Sequence, residues 1–197
     1  MTRVEQVVGE LVRALAGSGR RFALIGGLAV SARAEPRFTR DVDFAVAAAG
    51  DREAEAVLHG LVQLGYTVGS TVEHDDGRRL ATARLLPPGE TQQGVVADLL
   101  FASSGIEPEL AAMADALEIL PGLVVPVAKV GHLIALKVLS EAADRPQDAV
   151  DLRALAEIAT ESDLETSKQA LALIEARGFA RGKRLRDEFV RLLPTRP

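Results

Sequence analysis

Apolar residues follow two different spacings along this chain, and the change from one to the other predicts its architecture. In the first half, helical three-to-four-residue spacing is interleaved with short apolar runs and two-residue alternation. These patterns predict helices over residues 4–15, 28–34 and 51–64 and strands over 22–25, 41–46, 66–72, 79–86 and 95–101. Beyond residue 103 the helical spacing dominates and predicts helices over 107–117, 127–139, 147–159, 161–176 and 179–192, with only 123–125 extended.

The predicted order of elements divides the chain near residue 105. Residues 1–105 are expected to form a small mixed sheet with flanking helices, and residues 106–197 a C-terminal helical region. No flexible linker marks the junction, so we expect the two regions to pack together. The fold class predicted from these patterns is α/β in the α+β sense.

One predicted strand carries two carboxylates on the same face. Over residues 41–46 the apolar side chains alternate with Asp41 and Asp43, which therefore project to one side. Two neighbouring carboxylates repel each other unless a cation lies between them, and a rigid strand suits the strict octahedral geometry of magnesium. The pair predicts a metal site, although an exposed strand face also carries acidic pairs for solubility alone.

A Gly26-Gly27 pair lies between the strand 22–25 and the helix that follows it. Glycines at such a turn let a phosphate approach the backbone, and the helix N-terminus adds unpaired N–H donors and a favourable dipole. The sequence has neither GxGxxG nor the terminal Lys-Ser/Thr of a P-loop, so dinucleotide binding and P-loop chemistry have no support. The alternative is a tight strand-to-helix turn without chemical consequence.

A third carboxylate, Asp98, interrupts the apolar run over residues 95–101. A charge in so apolar a segment is costly unless it is paired or metal-bound. With Asp41 and Asp43 it would let two cations bridge a triphosphate and an attacking hydroxyl. The alternative is an aspartate at the end of a strand paired with an arginine.

The composition narrows the chemistry further. The absence of cysteine excludes disulfides, thiolate metal sites and thiol catalysis, and the three histidines have no metal-ligand spacing. A formal net charge of −5 does not favour nucleic acid by bulk attraction, although arginines cluster over residues 33–40 and 177–186, as a local basic face or as solvated helix faces. Without a leader or a membrane-spanning apolar run, we expect a cytoplasmic protein that does not contact a membrane.

The order strand, Gly-Gly, helix, acidic pair and later strand aspartate resembles the polymerase-beta-like minimal nucleotidyltransferase superfamily. Within it, Ile25-Gly-Gly-Leu-Ala-Val30 followed by Thr39-Arg-Asp-Val-Asp43 is similar to the AbiEii-type toxin nucleotidyltransferases of toxin–antitoxin systems. Lys137 ahead of Arg145-Pro-Gln-Asp148-Ala-Val-Asp151-Leu152 is also similar to that subgroup's pattern. The chain departs from the pattern at Gln147, where the subgroup has a second lysine.

The resemblance implies a role for individual residues. It implies Gly26 and Gly27 at the triphosphate of an NTP, and it implies two Mg²⁺ ions held by three carboxylates, Asp41, Asp43 and Asp98. Lys137 is implied at phosphate oxygens, and Arg40 or Arg33 as a further contributor, unless these two arginines are solvated or paired with aspartates. Asp148 either acts near the acceptor hydroxyl or pairs with Arg145 or caps its own helix.

The implied activity is transfer of a nucleoside monophosphate from an NTP to a hydroxyl. The acceptor implied by the resemblance is RNA, with the tRNA 3′ end foremost, and the cellular role is that of a toxin with a cognate antitoxin protein as partner. Two alternatives share the motif order. One is an aminoglycoside- or lincosamide-type enzyme that modifies a small molecule, and the other is a non-catalytic partner protein with the same fold.

Overall fold

A computed structural model describes residues 2–74, 79–142 and 144–193 of the 197-residue chain. Its helices are α1 Arg3–Gly17, α2 Gly26–Arg33, α3 Asp51–Gln63, α4 Glu107–Ala112, α5 Val130–Ser140, α6 Pro146–Ile158, α7 Glu161–Ala176 and α8 Leu185–Leu192. Its strands are β1 Phe22–Ile25, β2 Asp41–Val46, β3 Thr67–His74, β4 Arg79–Leu86, β5 Val96–Leu100, β6 Asp115–Leu120 and β7 Leu123–Val127.

The seven strands form one mixed sheet in the order β3-β4-β5-β2-β1-β7-β6. The central strand β2 runs antiparallel to β1 and parallel to β5, with Asp43 opposite Ile25 on one side and Asp98 on the other. β4 continues the same row antiparallel to β5, with Arg84 opposite Asp98. The predicted α/β class, a mixed sheet with flanking helices, is confirmed.

One face of the central strands packs into the hydrophobic core, and the other face lines a cavity. Val42, Phe44 and Leu99 point into the hydrophobic core and are fully buried. The alternate positions Asp41 and Asp43 on β2, like Asp98 and Leu100 on β5, face a cavity instead. Because side chains alternate across a strand, the apolar residues that anchor β2 in the core also fix the direction of its carboxylates.

Helix α5 forms the opposite wall of the cavity and is itself buried by α6 and α7. It packs against α7 at Gly131, where an added Cβ would overlap the backbone oxygen of Asp163. The buried hydroxyl of Ser167 donates to Gly131 O at 2.9 Å and satisfies that carbonyl. This close backbone approach holds α5, and with it Lys137, at a fixed position.

Two predictions for the second half are wrong. The helix predicted over 107–117 ends at Ala112, and Asp115–Leu120 is a strand that pairs with β7 through a Pro121-Gly122 turn. Its helix-like apolar spacing is overridden by the pairing, which uses alternate side chains. The helix predicted over 179–192 begins only at Leu185, because Arg181 and the two glycines flanking the 179–181 segment adopt positive φ angles.

The sheet extends past residue 105, since β7 pairs in parallel with β1 through Leu24 and Val127. The division of the chain near that residue stays a prediction. The turn-forming residues at 74–77 predict a turn between the strands expected over 66–72 and 79–86. Of these residues only His74 lies within the described residues, and it is the last residue of β3. Among the helices described, none combines the length and the apolar character needed to cross a membrane.

Candidate active site

A cavity of about 550 Å³ lies between the sheet and α5. Its floor is the polar face of three adjacent strands, with Asp41 and Asp43 from β2, Asp98 and Leu100 from β5, and Thr82 and Arg84 from β4. Gly26 and Gly27 line it where β1 passes into α2, and Lys137 and Ser140 line it from α5. The volume falls in the range of small-molecule and cofactor sites. The structure therefore brings six predicted site residues together: Gly26, Gly27, Asp41, Asp43, Asp98 and Lys137.

The two glycines lie in close contact with charged side chains. Gly26 has φ +64, and an added Cβ would overlap Asp43 Oδ2. At Gly27 an added Cβ would lie 2.5 Å from Arg37 Nη2. Both positions thus exclude a side chain, and the backbone at the start of α2 lies against the carboxylate of Asp43 and the guanidinium of Arg37.

Asp43 is a partly buried carboxylate in a repulsive setting. Burial, then the charges of Asp98 and Asp41, raise the pKa of Asp43 from 3.8 to about 7, against the lowering effect of Lys137 and Arg84. Within the described residues, neither Asp43 nor Asp41 has a hydrogen-bond or ion-pair partner for its carboxylate. An unpaired buried carboxylate that is costly to ionise is expected where a cation completes the site.

Asp98 has a protein partner. Arg84 Nε donates to Asp98 Oδ1 at 2.9 Å and Nη2 to Oδ2 at 2.6 Å, a bidentate pair across β4 and β5. No group of three or more acidic or histidine side chains in the part of the chain that the structure describes is arranged to hold a metal ion. The geometry therefore offers two free carboxylates, Asp41 and Asp43, and a third that is bound to an arginine.

Lys137 is held between two buried aspartates. Its Nζ lies 2.6 Å from Asp148 Oδ1 and 2.7 Å from Asp151 Oδ2. Arg37 also binds Asp151, with Nε at 2.6 Å and Nη2 at 2.8 Å from its two oxygens. Burial alone would raise the pKa of Asp151, but hydrogen bonds from Arg37, Lys137 and Gln147 bring it below its ordinary value. Asp151 is therefore an ionised anchor for both cations.

The remaining polar residues of α6 support this cluster. Gln147, at the position where the family pattern has a lysine, donates to Asp151 Oδ1 at 3.1 Å. Asp148 accepts from Ser140 Oγ at 3.0 Å and lies 3.3 Å from Arg145 Nε, so the pairing with Arg145, one of the three roles considered for it from the sequence, is present. Gln147 therefore still donates a hydrogen bond to Asp151, although it lacks the positive charge of the lysine in the family pattern.

Two arginines considered from the sequence lie outside the cavity lining. Arg40 extends over the exposed ring of Phe38, with its guanidinium carbon 5.8 Å from the ring centroid. Arg33 donates to Val127 O and Ala128 O and to Asp115 Oδ2, at 2.8–3.0 Å, which ties α2 to β7. Of the arginines before the acidic pair, Arg37 is the one that reaches the site.

The roles of Arg84, Arg37 and Asp151 could not be predicted from the sequence patterns. Arg84 and Asp98 sit at matching alternate positions of consecutive strands, so a correct antiparallel register would have paired them. No local signal joins Arg37 to Asp151, which are 114 positions apart.

The fold has counterparts among solved structures. An antigenic nucleotidyltransferase-like protein from Paracoccidioides brasiliensis matches with a TM-score of 0.53 at 19% identity, over 94% of this chain and 91% of that one. The lincosamide antibiotic adenylyltransferase LnuA, solved with lincomycin bound, matches with a TM-score of 0.50 at 14% identity, over 79% and 98%. These likenesses define a nucleotidyltransferase fold.

The family follows from the sequence itself. The family model described as nucleotidyl transferase AbiEii toxin, type IV toxin–antitoxin system, matches residues 10–196. The chain belongs to the AbiEii nucleotidyltransferase toxin family, and the resemblance carried by its motifs is confirmed. A comparison with curated protein sequences found no match.

Proposed function

We propose that this protein transfers a nucleoside monophosphate from an NTP to a hydroxyl of RNA, in a magnesium-dependent reaction, as the toxin of a toxin–antitoxin pair. The observation that carries the proposal is the contact between the unpaired carboxylate of Asp43 and the Gly26-Gly27 turn inside the cavity. A cation held by carboxylates and a phosphate held by backbone N–H groups would there be neighbours.

The residues present fit magnesium. This ion is commonly held by one or two carboxylates together with substrate phosphates and water, so Asp41 and Asp43 suffice without a third protein ligand. The raised pKa of Asp43 supports the fit, since a cation beside it would remove the repulsion from Asp41 and Asp98. When bound, magnesium would withdraw negative charge from the triphosphate oxygens.

The chain's own residues would position the donor. The backbone N–H groups at Gly26 and Gly27 would bind phosphate oxygens at the start of α2. Lys137 directs two of its three N–H donors at Asp148 and Asp151, which leaves one for a phosphate oxygen. The acceptor oxygen would then form a bond to the α-phosphorus as the bond to the leaving pyrophosphate breaks on the opposite side.

The second magnesium ion predicted from the sequence depends on Asp98. As a ligand of that ion, Asp98 would have to exchange both hydrogen bonds from Arg84 for metal coordination. Calorimetric titration of magnesium in the presence of a non-hydrolysable NTP distinguishes the two arrangements. Two ions per chain would support the exchange, and one ion would leave Arg84 as the partner of Asp98.

The direct test is transfer of label from each of the four NTPs, in turn, onto total cellular RNA. Wild type is expected to label RNA, with tRNA 3′ ends as the main product, and Asp43→Ala is expected to lose the labelling while retaining its far-ultraviolet circular dichroism. Asp43→Ala labelling RNA at the wild-type rate would refute the assignment of the site. Co-purification of a second protein that suppresses the labelling would support the antitoxin partner.

Labelling and calorimetry together distinguish RNA modification from the two alternative functions. Labelling of an aminoglycoside or lincosamide in place of RNA would establish the small-molecule activity. An absence of magnesium and NTP binding by calorimetry would favour the non-catalytic partner protein.

A further inference from the structure

The cavity continues beyond the carboxylates, away from the glycine turn. Because β1 is antiparallel to β2 with Ile25 opposite Asp43, the Gly26-Gly27 turn lies toward the start of β2. Leu100 and Thr82 face each other one row further along in the opposite direction, and β5 then leads into the turn at Ser103. The site therefore has a glycine end and a Ser103 end, with Asp43 and Asp98 between them.

A loop from the C-terminal part of the chain closes the Ser103 end. Arg181 Nη2 donates to the backbone oxygen and to Oγ of Ser103, both at 3.0 Å, and lines the cavity there. Arg177 anchors the same loop through a bidentate pair with Glu109 at 2.6 and 3.0 Å. Lys183 donates to Leu139 O at 2.8 Å, at the end of α5. The position of Arg181 is thus fixed from both sides.

The Ser103 end carries two arginines close to each other. Arg145 lines the cavity beside Arg181, and burial together with the charge of Arg145 lowers the pKa of the Arg181 guanidinium. Arg181 has no carboxylate at ion-pair distance within residues 2–74, 79–142 and 144–193. Its backbone has a φ of 54°, a conformation that residues other than glycine rarely adopt. Asp144 is an acidic residue of this end, and Arg145 shares the carboxylate of Asp148 with Lys137, at 3.3 and 2.6 Å.

The direction of the reaction assigns this end to the acceptor. In-line transfer requires the attacking oxygen to approach the phosphorus opposite the leaving pyrophosphate. With the triphosphate at the glycine turn, the acceptor must enter from the Ser103 end. An anionic group there would relieve the repulsion between Arg145 and Arg181, whereas a polycationic aminoglycoside would increase it.

We propose that Arg145, Arg181 and Ser103 form a binding site for a backbone phosphate of the acceptor, next to the hydroxyl that is modified. This inference rests on the proposed function and deepens it, because it assigns residues to recognition of the phosphodiester backbone of the acceptor. Arginine suits the role, since its planar fork binds phosphate oxygens in pairs.

The test measures RNA binding and NTP binding separately. A short 5′-labelled RNA oligonucleotide with a free 3′ hydroxyl is titrated with wild type, with the double variant Arg145→Gln/Arg181→Gln and with Arg184→Gln/Arg186→Gln. The last pair is a matched control, because it removes the same charge from residues that do not line the cavity. A non-hydrolysable NTP with magnesium is titrated in parallel and also reports that each variant is folded.

The cavity variant is expected to bind RNA at least about tenfold more weakly than wild type, as for loss of charge-assisted hydrogen bonds, with NTP affinity unchanged. Its slope of log affinity against log salt should fall by about 1. The control should retain wild-type RNA affinity. Arg181→Lys should recover part of the binding, and Arg145→Gln alone, which leaves the Ser103 contacts intact, should lose part of it.

Three outcomes would overturn the proposal. Equal loss in the control variant would mean a diffuse basic surface, and loss of NTP affinity in the cavity variant would assign the arginines to the donor. Displacement of the RNA by inorganic phosphate as readily as by a dinucleotide with a 3′ hydroxyl would mean a free-phosphate site. None of these measurements requires turnover, so a failure of RNA labelling in every assay rejects the proposed function separately.

Discussion

Replacing Asp43 by asparagine is expected to stabilise the metal-free protein while it abolishes nucleotidyl transfer. In the wild type the carboxylate of Asp43 lies beside those of Asp41 and Asp98, and burial is the largest cause of its raised pKa. The amide of asparagine is neutral and of the same size, so the substitution removes the repulsion without opening a cavity. It also removes a proposed magnesium ligand, and activity should fall to the level of Asp43→Ala.

The magnitude follows from the pKa. The pKa of Asp43 is about 7 in the folded protein, against an ordinary value of 3.8. Ionisation of Asp43 at high pH therefore lowers the free energy of unfolding by about 4 kcal/mol. The pKa of Asp43 is higher in the folded protein than in the unfolded chain. Its contribution to the free energy of unfolding is therefore fully present below about pH 4 and is lost as the pH rises to about 7. The gain in Asp43→Asn should therefore be small near the acidic limit, grow through this window and level off above it.

The assay is urea unfolding in EDTA at several pH values between about 4.5 and 8, with Asp41→Asn as the matched control. Asp41 is exposed, so removal of its charge is expected to stabilise less than removal of the charge on Asp43. Magnesium should stabilise wild type and leave Asp43→Asn unchanged. The reasoning is refuted if Asp43→Asn is no more stable than wild type at pH 8, or if its gain is equal at both ends of the pH range.

Three further predictions concern the packing around the site. Asp151→Asn should lower the free energy of unfolding at pH 7 by about 3–5 kcal/mol in urea titrations, because Arg37 loses its carboxylate partner and Lys137 keeps only Asp148; a loss within the noise of the titration would contradict the buried cluster. Gly26→Ala should abolish labelling of the acceptor, since the new methyl group would overlap Asp43 Oδ2 and a φ of +64 at residue 26 is strained for alanine. A wild-type kcat in this variant would exclude the contact between Gly26 and Asp43. Gly131→Ala should destabilise by about 1–3 kcal/mol through forced separation of α5 and α7, measured by thermal unfolding beside Gly60→Ala, which has no atom within 4 Å of the added carbon and should be neutral or stabilising.

The elements with strong internal periodicity could be predicted from the sequence. The strand at 41–46 and the helix at 161–176 have the predicted bounds. In each, burial of one face agrees with the local pattern, so tertiary packing and sequence spacing give the same answer.

The errors arose where a distant partner decides the local structure. Asp115–Leu120 becomes a strand because β7 is available beside it and β1 places β7 in the sheet. The helix predicted from Phe179 starts six residues late, because the segment before Leu185 is held by contacts to the turn at Ser103 and to the end of α5. Propensity cannot report either influence.

In the candidate site too, the residues fixed by local structure could be predicted, and the pairings between distant segments could not. The glycine pair and the acidic pair lie within 17 residues of one another, each is tied to a local turn or strand, and the structure brings them into contact. The pairing of Asp98 with Arg84 and of Asp151 with Arg37 depends on register and on the packing of distant helices. Which cations remain available to a substrate could not be predicted from the sequence, because Lys137 and Arg33 each have a carboxylate partner within the protein.

The parallel pairing of β1 with β7 has a consequence for any attempt to dissect the protein into fragments. A fragment that stops at residue 105 would lack Val127 opposite Leu24, and Leu24 O would lose the hydrogen bond from Ala128 N at 3.0 Å. The strand that precedes the Gly26-Gly27 turn would then become an open sheet edge with fully apolar side chains, the kind of edge through which proteins aggregate. Supplying residues 106–197 as a separate chain should restore solubility to such a fragment, because it returns β7 to its place in the sheet.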